Sequence, residues 1–166
     1  MDSEVKNQIS LRSVTAEDRE FLLSVYAAGR ETELSVLPFD EAQKRAFCEH
    51  QLDAQTTYYE EKYPHATHEI ILFDGEPVGR VYVNRGDALI SILDLAVLVE
   101  HRKKGVGIHI VKSLQNEATS SDKRVGVYVE TFNPSQKLFR DLGFELVEGD
   151  EMNLYFEWRH DSERRK

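Results

Sequence analysis

Residues 93–108 constrain this chain more than any other stretch. They read Leu-Asp-Leu-Ala-Val-Leu-Val-Glu-His-Arg-Lys-Lys-Gly-Val-Gly-Ile. An apolar strand runs directly into a short basic glycine turn and then into a helix start. Gly105 and Gly107 let the backbone turn tightly and approach a ligand. The unpaired N–H groups at the helix start, together with Val106 and Ile108 of the same turn, aim partial positive charge at an anion. Arg102, Lys103 and Lys104 add full charges at the mouth. The spacing excludes two other phosphate loops: there is no G-x-x-x-x-G-K-S/T, and no G-x-G-x-x-G followed by an acidic residue about twenty positions on. Taken alone, this stretch specifies an α/β domain that holds a phosphate ligand.

Strands and helices alternate on both sides of it. Residues 9–14 read as a strand, and Thr15 is placed to cap a helix carrying Phe21, Leu22, Val25 and Tyr26 on one face. Gly29 and residues 31–38 read as a loop or broken helix. Asp40 and Gln43 form a capping-box start to a long helix that Pro64 ends. Residues 68–73 and 78–84 flank an Asp74-Gly75 hairpin turn. After the turn at Arg85-Gly86-Asp87 comes a long strand over 88–99, whose apolar run predicts burial on both faces. A helix over about 105–119 should turn Ile108, Val111 and Leu114 inward. Residues 125–129 form a further strand, and 134–142 a short helix with Pro134 in its first turn and Gly143 as its C-terminal cap. Residues 144–148 and 153–158 make a last hairpin, with Trp158 in the core. The expected fold is α/β (mixed α+β) in one domain over 1–166, with a mixed, mostly antiparallel sheet of about seven strands and about four helices. Residues 1–8 and 160–166 are expected to fray.

Two segments carry a family resemblance. Arg102-x-x-Gly105-x-Gly107 after a Leu-Ala-Val strand resembles the Q/R-x-x-G-x-G/A signature of the GCN5-related N-acetyltransferases. Downstream, Asn133-Pro-Ser-Gln-Lys-Leu-Phe-Arg-Asp-Leu-Gly-Phe144 looks like that family's N-x-x-A-x-x-L-Y-x-x-x-G-F segment. The two stand in the family's order, with the strand at 125–129 between them. Residues 51–64, through Gln55, Tyr59 and Pro64, also resemble a segment of one uncharacterised bacterial branch. The detailed match covers the C-terminal half; the first half agrees in its order of elements.

The resemblance implies acetyl-CoA as the cofactor. It also implies acetyl transfer to a primary amine by direct attack in a ternary complex, and a bulge in the strand ahead of the turn. By position, the Leu95 N–H would face the thioester carbonyl, where it would stabilise an oxyanion. Ala96 would lie beside the cofactor, and Val97 and Val99 would pair with the pantetheine arm. The same residues also read as plain core, since side chains can be core while their backbone binds ligand. Asn133 reads as a helix cap and, by resemblance, as a pantetheine or adenine-side contact. Phe139 departs from the family pattern: a tyrosine there would protonate the leaving thiolate, and phenylalanine has no proton to give. A thiol of pKa about 8.5 is nonetheless a fair leaving group.

Asp94 interrupts the apolar strand. It reads either as a carboxylate satisfied by backbone N–H groups or as one that holds a cationic substrate or relays its proton, as an acidic residue in polyamine acetyltransferases suggests. An amine of pKa about 10.4 must lose a proton before attack. Further candidates for that base are Glu31, Glu33, Tyr58, Tyr59, His65 and His68, while His101 reads as a flank of the phosphate site. Glu33, Gln55 and Tyr59 are candidate substrate-binding residues.

Composition bounds the partners. With 40% hydrophobic and 31% charged residues over 166 positions, the chain reads as an ordinary soluble domain. A formal net charge of −9 argues against nucleic acid. No apolar run suits a signal peptide or a membrane span, and Cys48 is the single cysteine. A reducing, cytoplasmic setting is expected, with no metal and with a small-molecule or peptide amine as partner; a homodimer is compatible with this reading. Two rivals remain: a non-catalytic acyl-CoA-binding module, which Phe139 favours, and a plain nucleotide-phosphate binder.

Overall fold

In the computed structural model, which describes residues 8–131 and 133–160 and not the Lys103 side chain, the chain begins with β1 (Ile9–Ser13). Three helices follow: α1 (Arg19–Gly29), α2 (Glu31–Ser35) and α3 (Glu41–Lys62). Then come β2 (Thr67–Phe73), β3 (Glu76–Arg85) and β4 (Leu89–Val97). Helix α4 (Val106–Ser121), β5 (Arg124–Glu130), α5 (Gln136–Asp141), β6 (Glu145–Gly149) and β7 (Asn153–Trp158) complete the order. The strands form one sheet, β1-β2-β3-β4-β5-β7-β6. β4 and β5 run parallel, and every other described pair is antiparallel.

Local chemistry sets the boundaries. The Asp40 carboxylate accepts from the Gln43 N–H and the Gln43 side chain accepts from the Asp40 N–H, each bond fixing the start of α3. Asp74 and Gly75 both have positive φ, at 57° and 84°, which suits a tight two-residue hairpin. Gly143, at φ 90°, ends α5 by reversing the chain so that the Phe144 N–H reaches the Phe139 carbonyl.

Each face of the sheet is covered by its own helices. On one face α4 presents Val106, Ile110, Val111, Leu114 and Ala118 to Ile71, Val81, Ile90, Val125 and Phe156. On the other, α1, α2 and α3 bury Leu22, Leu23, Leu34, Cys48 and Leu52 against Ile70. Among the described residues no helix is long and apolar enough to cross a membrane.

Four expectations need correction. The described residues form five α-helices, because residues 31–35 close one turn of their own between Gly29 and Pro38. β4 stops at Val97; Val99 opens a 3-10 turn through Lys104 instead of continuing the strand. Ile108 is 44% exposed, since the inward stripe of α4 runs through Val106, Ile110 and Val111. Trp158 is half-buried at the margin of the core. The segments expected to fray lie outside the described residues apart from Gln8 and His160. The Gln8 carbonyl accepts from the Asp74 N–H, and His160 sits 2.7 Å from Asp122.

Candidate active site

The sheet is split at its centre. β4 and β5 pair at Leu89↔Arg124, Ile90↔Val125, Ser91↔Gly126 and Ile92↔Val127, and the pairing stops there. β5 goes on through Glu130 alongside β7, while β4 goes on through Val97 alongside β3. Leu93 is the cause. The β3–β4 register shifts between Tyr82↔Asp94 and Val83↔Ile92, so β4 carries one extra residue. A bulge bends its strand and increases local twist, which turns the end of β4 away from β5. The expected burial of residues 92–99 on both faces therefore fails beyond Ile92: from Leu93 to Val97 the strand is half-buried along a free edge.

The register says which groups line that edge. Antiparallel partners exchange hydrogen bonds at every second position. The Leu98 N–H donates to the Val78 carbonyl at 2.8 Å. Stepping back two residues at a time, Ala96 and Asp94 turn their backbone groups to β3. Leu95 and Val97 turn theirs into the split. Both amides named from the resemblance thus face the opening, whereas the Ala96 backbone belongs to the ladder.

The basic turn stands at the end of that edge. Gly105 has φ 79° and ψ 12°, a left-handed conformation that favours glycine. The first α4 ladder bond runs from the His109 N–H to the Gly105 carbonyl, which leaves the amides of Val106, Gly107 and Ile108 free at the helix start. Gly107 is helical, so it is not there for conformational freedom; among the described residues, a Cβ at this position would meet only Leu138 Cδ2 at 3.5 Å. Arg102 is exposed, and its Nε donates to the Val97 carbonyl at 2.8 Å, which leaves the rest of the guanidinium facing outward. Lys104 lies 3.3 Å from His101 Nδ1 and over the Phe73 ring. The Lys103 side chain lies outside the described residues. Val99 is 54% exposed on the turn.

A polar cluster fills the α3 side of the split. Asp94, Tyr82 and His68 sit opposite one another across β4, β3 and β2 and so share a face. Arg80, only 2% exposed, donates from Nε to Asp94 Oδ2 at 2.6 Å. Its other nitrogens meet Gln55 Oε1 and, at 3.4 Å, His68 Nε2. Asp94 is therefore the counter-ion of a buried arginine, and neither of its two sequence readings named that partner. The available signal was a cation inside the apolar part of β3 and the single anion of β4, which the register sets on diagonal positions of one face, Arg80 pairing with Ala96 and Asp94 with Tyr82. Tyr59 donates its hydroxyl to the Leu93 carbonyl at 2.9 Å and packs edge-on against Tyr82. Burial, reinforced by the Asp94 charge, pushes the Tyr59 phenol up to about 12.

Burial first, and then the Arg80 cation, push His68 down from 6.5 to about 4. The unfolded chain takes up this proton before the folded one does. The stabilisation is complete above pH 6.5 and is lost as pH falls through about 4. The melting temperature should fall across that window, and His68→Gln should flatten the fall. Identical slopes in the two proteins would show that His68 does not titrate there.

The remaining candidates lie elsewhere. Glu33 is exposed and shares Arg30 with Glu130: Arg30 Nη1 is 3.3 Å from Glu33 and 2.8 Å from Glu130, at the far end of β5. This pair joins the α1–α2 corner to the second half of the sheet and places Glu33 by the open end of the split, away from the Tyr59 group. Asn133 is not the helix cap expected of it: Ser135 is the N-cap residue of α5, and the Asn133 Oδ1 accepts from the Ser135 N–H at 2.8 Å in the turn just ahead of the helix. Phe139 is 3% exposed and packs edge-on against Phe144. Glu31 lies on α2, Tyr58 pairs with Lys62, and His65 is exposed beyond α3.

Known structures share this architecture. The PaiA N-acetyltransferase of Thermoplasma acidophilum, solved with coenzyme A, superposes with a TM-score of 0.68 at 15% identity, covering 92% of this chain and 99% of its own. An acetyltransferase from Thermus thermophilus gives 0.65 at 19% identity, covering 92% and 97%. Naa50 of Arabidopsis thaliana, with the bisubstrate analogue CoA-Ac-MVNAL, gives 0.61 at 15%, covering 92% and 99%. At these identities the likeness is one of fold. No curated protein matches the chain in sequence. The model of the acetyltransferase (GNAT) family matches residues 34–144, about two thirds of the chain, and takes in α3, the split strand, the basic turn and α5. With the bulged β4, the free edge and the glycine turn all inside that span, the chain belongs to the acetyltransferase (GNAT) family.

Proposed function

We propose that the protein transfers an acetyl group from acetyl-CoA to a primary amine, by direct attack with both substrates bound. The observation that carries this reading is the free edge of β4. The Leu95 and Val97 amides are turned into a split that ends at the open amides of Val106, Gly107 and Ile108. An elongated cofactor with an amide-bearing arm and a pyrophosphate fits that order of donors. When bound, acetyl-CoA supplies an acyl group already activated as a thioester. The amine nitrogen forms a bond to the acetyl carbon, the carbon–sulfur bond breaks, the amine gives up one proton and the sulfur takes one.

The chain's own contribution is positioning and electrostatics. The Leu95 N–H stands ready for the oxygen on which charge develops. The α4 amides and the Arg102, Lys103 and Lys104 cations hold phosphate. Asp94, 28% exposed at its side chain, faces the cationic amine while Arg80 fixes its other side. Gln55 and Glu33 line opposite ends of the acceptor side. Asn133 and Phe139 border the cofactor from α5, and Phe139 donates no proton.

A screen of small amines and N-terminal peptides with acetyl-CoA, read by thiol release, tests the reading. At least one acceptor should turn over. Tight acetyl-CoA binding with no turnover of any amine would favour a binding module, and competition by ATP but not by desulfo-CoA would favour a plain phosphate binder.

A further inference from the structure

We infer that Tyr59 is a positioning residue for the amide donor at Leu95, acting from α3 through the carbonyl of the bulge. This rests on the proposed acetyl-CoA reading of the split and adds to it the device that holds the donor in place. Three observations converge. Leu93 is the extra residue of β4, the point at which the strand leaves β5. A bulge residue is left out of the ladder, so its orientation must be fixed by something other than strand pairing. The group bonded to the Leu93 carbonyl is the Tyr59 hydroxyl at 2.9 Å.

The other end of the free edge is held in the same way. The Val97 carbonyl accepts from Arg102 Nε at 2.8 Å. Two side chains therefore pin the carbonyls on either side of Leu95, one from α3 and one from the basic turn. Between the pins, Leu95 lies about 6.6 Å along the strand from each of Leu93 and Val97, at two residues of rise. A donor aimed at a developing charge is effective only when held in advance, because a loose one must be reordered during the reaction. The Tyr59 ring is itself fixed, edge-on against Tyr82 with centroids 5.0 Å apart, and Tyr82 stacks on His68. The phenol keeps its proton across the physiological range and so remains a donor to the carbonyl.

Tyr59→Phe removes one oxygen and keeps the ring packing. CoA and acetyl-CoA differ at the acetyl group, which is where the Leu95 amide acts. Calorimetry on the full chain should show acetyl-CoA binding weakened about tenfold in the variant, a loss comparable to one hydrogen bond, with CoA binding unchanged. In the ligand-free protein, amide exchange over residues 93–98 should be faster in Tyr59→Phe than in the wild type. Tyr58→Phe, at an exposed ring bonded to Lys62, should change neither readout. Equal loss of CoA and acetyl-CoA affinity would mean that Tyr59 merely supports the fold, and would overturn the inference. Unchanged affinities with unchanged exchange would overturn it as well. If the wild type bound neither ligand, the acetyl-CoA reading would fail; the exchange comparison would still decide whether Tyr59 holds the bulge.

Discussion

Gly79→Ala should destabilise the protein by about 3 kcal/mol or more, the largest loss expected from adding a single methyl group. Gly79 lies in β3 opposite Val97, and a Cβ there would sit 2.2 Å from the Ala96 carbonyl oxygen. That atom is backbone, so no rotamer change relieves the clash; β3 and β4 must separate. The strand that would move is the one carrying the Leu95 and Val97 amides. Urea unfolding should show a lowered midpoint, and any folded fraction should bind acetyl-CoA poorly. A midpoint within experimental error of the wild type would mean that the strands yield there cheaply.

Gly107→Glu should weaken acetyl-CoA binding by on the order of 100-fold while the protein stays folded. The backbone at 107 is helical and the one close neighbour of a new Cβ is a leucine methyl at 3.5 Å, so a side chain fits. A carboxylate in the first turn of a helix favours the helix macrodipole, so the melting temperature should hold or rise. The same charge repels a pyrophosphate at the free amides. Gly107→Ala is the matched control and should bind normally. Calorimetry beside thermal melting separates the two effects, and undiminished affinity in a folded Gly107→Glu protein would remove the pyrophosphate from this helix start.

What could be read from the sequence was what short-range chemistry dictates. The capping pair Asp40 and Gln43, the Asp74-Gly75 turn, the left-handed Gly105 and the Gly143 stop each act within a few residues, and each stands where the pattern placed it. The bulge was expected only through the family resemblance, because nothing in the run Ile-Leu-Asp-Leu marks one residue as extra. Its location at Leu93 becomes visible only against the register of β3. The burial of residues 92–99 is hidden for the same reason: an apolar run is as compatible with a free edge as with a core strand. Arg80 is not legible in the sequence because its partners, Asp94, Gln55 and His68, come from three other elements. Gly105 alone makes the turn, and Gly107 already lies within α4.

The four-pair seam between β4 and β5 also bears on how the molecule flexes. On one face α4 packs across both strands and ties the two half-sheets together. On the opposite face the Arg30–Glu130 ion pair reaches across the gap, its side chains 25% and 47% exposed. Its glutamate is open to solvent, so the pair is weakened by salt. Rising ionic strength should therefore weaken the tie on the α1–α3 face while leaving the apolar packing of α4 across both strands intact.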